Sequence, residues 1–320
     1  MINTPNNNLS NHSLTNIIHK SKNNNLNSLK IGSLNTRGLN EPTKLKCLLQ
    51  YTTDNNYSIF GLSETKIKTS SQTHYKSKHF ITNWSSNESS KAGVALIINN
   101  ELYKHHFKTT SFNGYIISAF FKFKPKITLC ITQTYIPHDK TNKQLTLNKL
   151  KELIQQNQSN NYIHIIIGDF NSTPNPKIDI LSISKTQKQK KQTNKKLYNL
   201  LHNYSDFFRT LHPHKINFTY EGPTQKSRID QIWISNNIID NLTNTKIIPT
   251  NSEFQSDHKI TNIHLESFFL HNRNTRNKKP TIIKYEYHKV NNETWDKINT
   301  NLSQQITSII STTNINTQNL

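Results

Sequence analysis

The chain reads as an α/β (α+β) protein in which two packed mixed β-sheets are flanked by helices. Three observations predict this. Short β-rich runs recur from Leu29 to Leu265, helical patterns separate some of them, and the step from Phe123 to Ile127 is hairpin-length. Such a step favours antiparallel pairing, so mixed sheets are expected over a purely parallel, doubly wound one.

The elements follow in order. Leu29–Asn35, Tyr57–Glu64, Ala92–Asn99, Tyr115–Phe123, Ile127–Tyr135, Tyr162–Asp169, Ile229–Ser235 and Ile260–Leu265 have the residue pattern of strands. Helical patterns cover Lys44–Thr52, Asn142–Gln155 and Lys195–Asn203; in the second, Leu147, Leu150 and Ile154 fall on one face. Three parts result. Residues 1–28 are Asn-rich without apolar periodicity and are expected to be a disordered leader, 29–265 form the folded domain, and 266–320 are a basic linker with a helical tail at Asn291–Ile310. Within the domain, SKTQKQKKQTNKK (Ser184–Lys196) holds six Lys and is expected to be a surface loop running into a helix.

Composition narrows the class. A chain of 320 residues can bury a core large enough for an enzyme, although only 32% of it is hydrophobic. Two cysteines, Cys47 and Cys130, exclude a disulfide scaffold and a cysteine-based zinc site. The longest apolar stretches, such as Tyr115–Phe121 and Ile163–Ile167, fall far short of the ~20 residues that span a bilayer, so no membrane partner is expected. The N-terminus lacks the apolar segment of a secretory signal, and the expectation is an intracellular protein. A net charge of +21, from 40 Lys and Arg against 19 Asp and Glu, suits a polyanionic partner; A/T-rich coding would produce the same Lys, Asn and Ile excess.

Polar side chains gather at the ends of the expected strands. Asn35 ends LKIGSLN, Glu64 ends YSIFGLSE, Tyr135 ends ITLCITQTY, Asp169 and Asn171 lie in GDFN, Asp230 opens DQIWIS, and Asp257 and His258 precede KITNIHL. If these strand ends share one sheet edge, the side chains converge on one cleft.

In this order the motifs N-T-R-G-L, S-E-T-K, A-G-V-A, Y-I-P, G-D-F-N, F-T-Y, S-R-I-D and S-D-H resemble the endonuclease/exonuclease/phosphatase superfamily. The resemblance covers residues 29–265 and implies the DNase I-like fold, a four-layer α/β sandwich. Lys91–Ala95, Asp206–Arg209 with Leu211–Pro213, and Ser227–Asp230 are most similar to the apurinic-type endonuclease domain of non-LTR (LINE-type) retrotransposons. The segment KYEYHKVNNETWDKI resembles the connector that precedes a reverse transcriptase in such elements; that domain is absent from this chain.

The resemblance implies roles. Glu64 would be the principal ligand of Mg²⁺, with Mn²⁺ as a substitute, and Asn35 and Asp257 would help to hold the ion. Asp169 would deprotonate the attacking water or serve the leaving group, and Asn171 and Tyr135 would donate to the phosphate. His258, held by Asp230, would contact a phosphate oxygen or act as an acid, and Arg228 and Lys66 would bind substrate. The implied protein is a nuclear, Mg²⁺-dependent endonuclease that nicks double-stranded DNA. Two other readings stand beside it: a phosphoesterase of the same fold acting on phosphoinositide or sphingomyelin, and a catalytically inactive retroelement fragment. Two positions depart from the pattern, Arg37 where apurinic endonucleases often carry an acidic metal ligand and His138 where Asn commonly follows Y-I-P. The first implies weak Mg²⁺ binding.

Overall fold

The computed structural model describes residues 28–68, 77–87, 92–123, 127–182, 193–266 and 292–315. The expected leader lies outside them except for Ser28, as do residues 184–192 of the Lys run and most of the linker after Glu266. The described strands before the second crossover helix are β1 (Ser28–Asn35), β2 (Ile59–Ser63), β3 (Phe80–Ser85), β4 (Val94–Asn99), β5 (His106–Phe112), β6 (Ile116–Phe123) and β7 (Ile127–Tyr135). After it come β8 (Ile163–Asp169), β9 (Ile180–Ser182), β10 (Tyr204–Asp206), β11 (Tyr220–Glu221), β12 (Gln225–Ser227), β13 (Asp230–Ser235), β14 (Leu242–Ile248) and β15 (Ile260–Glu266).

Two six-stranded sheets result, ordered β14-β15-β1-β2-β4-β3 and β10-β13-β8-β7-β6-β5, with a small third sheet β11-β12-β9. Each large sheet is mixed, as expected, and each has one parallel pair, β1 with β2 and β7 with β8. A parallel pair needs a long crossover. Helices supply it: α1 (Pro42–Asp54) between β1 and β2, and α3 (Lys140–Ser159) between β7 and β8, with the short α2 (Asn100–Tyr103) lying between them in the chain. Pro42 starts α1, and the Asp139 side chain caps α3 by accepting from Asn142 N at 2.8 Å. Four further helices are α4 (Pro176–Asp179), α5 (Lys195–Leu200), α6 (Phe207–Leu211) and α7 (Asn292–Ile315). The helix expected to reach Asn203 is shorter because Tyr204 joins β10 and pairs with Ser235. Helix α7 belongs to a separate compact unit, residues 274–320.

Burial follows the strand period. In β4, Val94, Leu96 and Ile98 enter the main core while Ala95 and Ile97 join a second cluster with Leu45, Leu48 and Leu49 of α1. A strand covered on both faces reads as a continuous apolar run, and VALII is one. On the second sheet, Leu147, Leu150, Leu153 and Ile154 of α3 pack into the main core with the Ile-rich β8. Helices therefore flank two packed mixed sheets.

Every expected strand is an interior strand of a large sheet. The four large-sheet strands that the pattern missed, β3, β5, β10 and β14, are its four edges. An edge strand is half solvated and needs no apolar run. In β5, HFKTTSF, no residue is fully buried.

Candidate active site

Strand register brings the expected residues to one edge. Parallel pairing aligns Tyr135 with Asp169 and Asn35 with Ser63, next to Glu64. Antiparallel pairing sets Asp230 opposite Asp169, and β15 beside β1 delivers Asp257 and His258 to the same end. The carboxyl ends of both parallel pairs thus open on one cleft, the usual place for ligands in α/β sheets.

Two glycines make that edge possible. Gly168 of GDFN has φ +135°, and a Cβ there would lie 1.9 Å from the Thr134 carbonyl oxygen of the neighbouring strand. Gly93 has φ +118°, and its Cβ would meet Thr65 Oγ1 at 2.2 Å. That close approach ties A-G-V-A to S-E-T-K, through Thr65 N to Gly93 O at 3.0 Å and Lys66 N to Ala92 O at 2.9 Å.

The backbone at the cleft is strained. Arg37, Glu64 and Lys66 adopt φ of +55°, +48° and +57°, a conformation costing roughly 1–2 kcal/mol for residues with a Cβ. The remaining non-glycine positive-φ residues among those described are all Asn, which tolerates it, and one is Asn171 of the cleft. Strain gathered at one place marks a functional site.

Side chains form a connected set. Asn35 Nδ2 donates to Glu64 Oε1 and to Asp169 Oδ2, each at 2.9 Å, and its Oδ1 accepts from Arg37 N at 3.0 Å. Asp169 Oδ1 accepts from Asn171 N at 2.8 Å, and Asn171 Nδ2 donates to the Ile136 carbonyl at 2.9 Å. His258 Nδ1 lies 2.8 Å from Asp230 Oδ2. Thr219 Oγ1 accepts from Asp230 N at 3.0 Å and anchors that strand start. Glu64 is also held by Lys66 Nζ at 3.3 Å and, more loosely, by Arg37 Nη1 at 3.8 Å.

Electrostatics separate these groups. Burial and the Asp230 carboxylate push Asp169 up to about 7 against the pull of His258, Asn171 and Asn35. Burial alone would lower His258, but the charge and hydrogen bond of Asp230, aided by Asp169 and Asp257, outweigh it and raise the imidazole to about 9. Burial would likewise raise Glu64, yet Asn35, Lys66 and Arg37 hold it below the ordinary carboxylate value. Tyr135 is pushed far up by burial and by Glu64 and Asp169, so its phenol remains a donor. The cleft therefore holds a carboxyl poised near neutrality beside an imidazolium, a pattern concentrated at catalytic sites.

One expected assignment looks different in three dimensions. Arg228 is 1% exposed and does not reach the cleft: its guanidinium is bound by Asp179 (Nε to Oδ1, 2.8 Å) and Asp206 (Nη2 to Oδ2, 2.6 Å). Its binding of substrate is thus corrected; with both buried carboxylates satisfied, it is a structural tie beneath Asp230. Of the expected ligands, Asn35 Nδ2 donates to Glu64, and Arg37 is in ion-pair contact with both Glu64 and Asp257. Among the described residues, the carboxylates and imidazole that come together in a group of three, with donor atoms within 4.8 Å of one another, are Asp169, Asp230 and His258.

The donor set suits a hard divalent cation. The donors at this edge are mostly carboxylate oxygens, and two of them, Asp230 Oδ1 in that group and Asp257 Oδ1 beside Arg37, lack a hydrogen bond. A cleft of about 250 Å³ is lined by Arg37, Glu64, Tyr135, Asp169, Asn171 and His258, together with residues to which no role was assigned: His138, Tyr220, Gln225, Ser227 and Ile229. Tyr220 packs its ring 5.1 Å from that of His258. The F-T-Y motif contained this residue, but only the bridge between Tyr220 and His258 shows what it touches.

Two packed mixed sheets flanked by helices, with a carboxylate and imidazole cleft at their edge, define a DNase I-like protein. The chain belongs to the endonuclease/exonuclease/phosphatase family, which matches residues 25–258, a family of hydrolases that generally work with divalent metal ions. A search of curated proteins finds no match. Among solved structures, the chain is similar to the 3′-5′ exonuclease NExo of Neisseria meningitidis, with a TM-score of 0.60 and 17% identity over 74% of this chain and 100% of that one. It is similar to the APE2 catalytic domain of Xenopus laevis (TM-score 0.60, 18% identity, 74% and 92% covered). The AP endonuclease LMAP of Leishmania major is another such structure (0.62, 14%, 75% and 88%).

Proposed function

We propose that the protein is a Mg²⁺-dependent DNA endonuclease that nicks one strand of a duplex and leaves a 3′-hydroxyl, the target-cleavage activity of a LINE-type retroelement. The observation that carries this reading is the Asn35 amide joining Glu64 to Asp169 in the cleft that also holds the Asp230–His258 pair. Family membership supports hydrolysis of phosphate esters, and the Neisseria protein is known bound to a product DNA hairpin. The net charge of +21 suits double-stranded DNA as the partner. The nucleus is the compartment this reading implies.

In the reaction a water oxygen attacks phosphorus and the bond from phosphorus to the 3′-oxygen breaks. Asp169, near neutrality, takes the water proton or returns one to the leaving oxygen. The His258 imidazolium, fixed by Asp230, donates to a phosphate oxygen as charge builds. Tyr135 adds its phenol, and Asn171 has one amide hydrogen left beyond its bond to Ile136. Lys66 flanks the cleft from Glu64. Glu64, Asn35 and Asp257 would hold Mg²⁺ or Mn²⁺, which neutralises phosphate charge when bound.

The test is incubation of the purified full chain with supercoiled plasmid, with Mg²⁺ or with EDTA. Nicked circles that appear only with Mg²⁺, and that a DNA polymerase extends, are expected. Equal nicking by the wild type and the Asp169→Asn variant would end the proposal.

A further inference from the structure

Arg37 sits between two carboxylates. Its Nη1 is 3.8 Å from Glu64 Oε2 and its Nε is 3.3 Å from Asp257 Oδ1. Neither contact is a tight hydrogen bond. Asp257 Oδ1 accepts none at all, and the Arg37 side chain is 49% exposed. Arg228 shows the opposite arrangement, with 1% exposure and contacts of 2.6 and 2.8 Å to its two carboxylates. The Arg37 pairing is charge attraction without a hydrogen bond, from a side chain that is half exposed, and such a contact is readily given up. Lys66 stays on Glu64, but among the described residues Arg37 is the only cation in ion-pair contact with Asp257.

The backbone holds Arg37 there at a cost, with φ +55° directly before Gly38 at φ +115°. Its own N–H donates to Asn35 Oδ1, so the turn that aims the guanidinium is built into the same network.

We propose that Arg37 is a built-in competitor for the divalent cation: its guanidinium fills the gap between Glu64 and Asp257 when no ion is bound and must leave when one binds. This rests on the reading that Glu64 and Asp257 hold the ion. Arg37 is then a positioning residue with two consequences. It keeps the carboxylates neutralised, so the cleft keeps its shape without metal, and it lowers the affinity for metal. A unit positive charge about 5 Å from a divalent ion opposes its binding on the order of tenfold even at the dielectric constant of water.

The experiment titrates the full chain with Mn²⁺ and follows the free ion by electron paramagnetic resonance, with thermal unfolding in EDTA as a second readout. Arg37→Met should bind Mn²⁺ at least about tenfold more tightly than the wild type. It should unfold at a lower temperature in EDTA and gain more from added Mn²⁺. Arg37→Lys, which keeps the charge, should stay within about threefold of the wild type. Arg37→Asn, whose side chain suits the left-handed backbone, repeats the measurement should the Met variant not fold. Equal Mn²⁺ affinity of the wild type and the folded, charge-removing variant, together with weakened binding by Glu64→Gln, would overturn the competition and leave the metal reading standing. Unchanged binding by Glu64→Gln would remove the ion from Glu64 and overturn both.

Discussion

Replacing Asp230 by Asn removes the charge that holds His258 as an imidazolium while keeping a side chain of the same shape. His258 is 3% exposed, and burial alone favours its neutral form. Its rise from 6.5 to about 9 corresponds to roughly 3 kcal/mol in favour of the charged form, at about 1.4 kcal/mol per pH unit. In Asp230→Asn that preference disappears, and burial should carry the imidazole to or below 6.5, neutral at pH 7.5. Because the folded value exceeds the unfolded one, this pair contributes stability that is complete below 6.5 and is lost as pH rises through about 9. Wild type should therefore weaken between these limits, while the variant lacks that slope. The assay is imidazole ¹⁵N NMR in EDTA, with the resonance assigned through His258→Gln, beside urea unfolding at pH 6.5, 8 and 9.5. A His258 that still titrates above about 8 in Asp230→Asn would refute the claim that Asp230 sets its charge.

Three further outcomes are expected. Asp169→Asn and His258→Ala should each lower plasmid nicking by at least ~10³-fold with unchanged circular dichroism; a variant keeping a tenth of the activity would lose its place in the reaction. Arg228→Met leaves Asp206 without its cation and should cost roughly 3–5 kcal/mol in urea unfolding, and a loss under about 1 kcal/mol would make the buried tie dispensable. His164 is buried between Thr132 and Tyr204, and burial lowers it to about 3. Its neutral form is required, so stability should hold above 6.5 and fall by up to about 1.4 kcal/mol per pH unit as pH drops toward 3; His164→Gln should flatten that slope.

The interior strands of the fold, and the polar residues at their ends, are legible in the order of amino acids. The β-rich runs are the central strands, because a strand covered on both faces must be apolar throughout. The order of motifs marks Asn35, Glu64, Asp169, Asp230 and His258, and strand register brings them to one edge. The remainder depends on contacts between distant segments. The edge strands β3, β5, β10 and β14 exist through pairing with a neighbour, and half-solvated residues leave no period to read. Arg228 looked like a phosphate ligand because Arg so often is one, and only folding reveals Asp179 and Asp206, 49 and 22 residues distant, beside it. Arg37 shows the same limit from the other side: its place between Glu64 and Asp257 depends on three loops meeting at one sheet edge. Strand register sets that meeting, and register is a property of paired chains that no single segment carries.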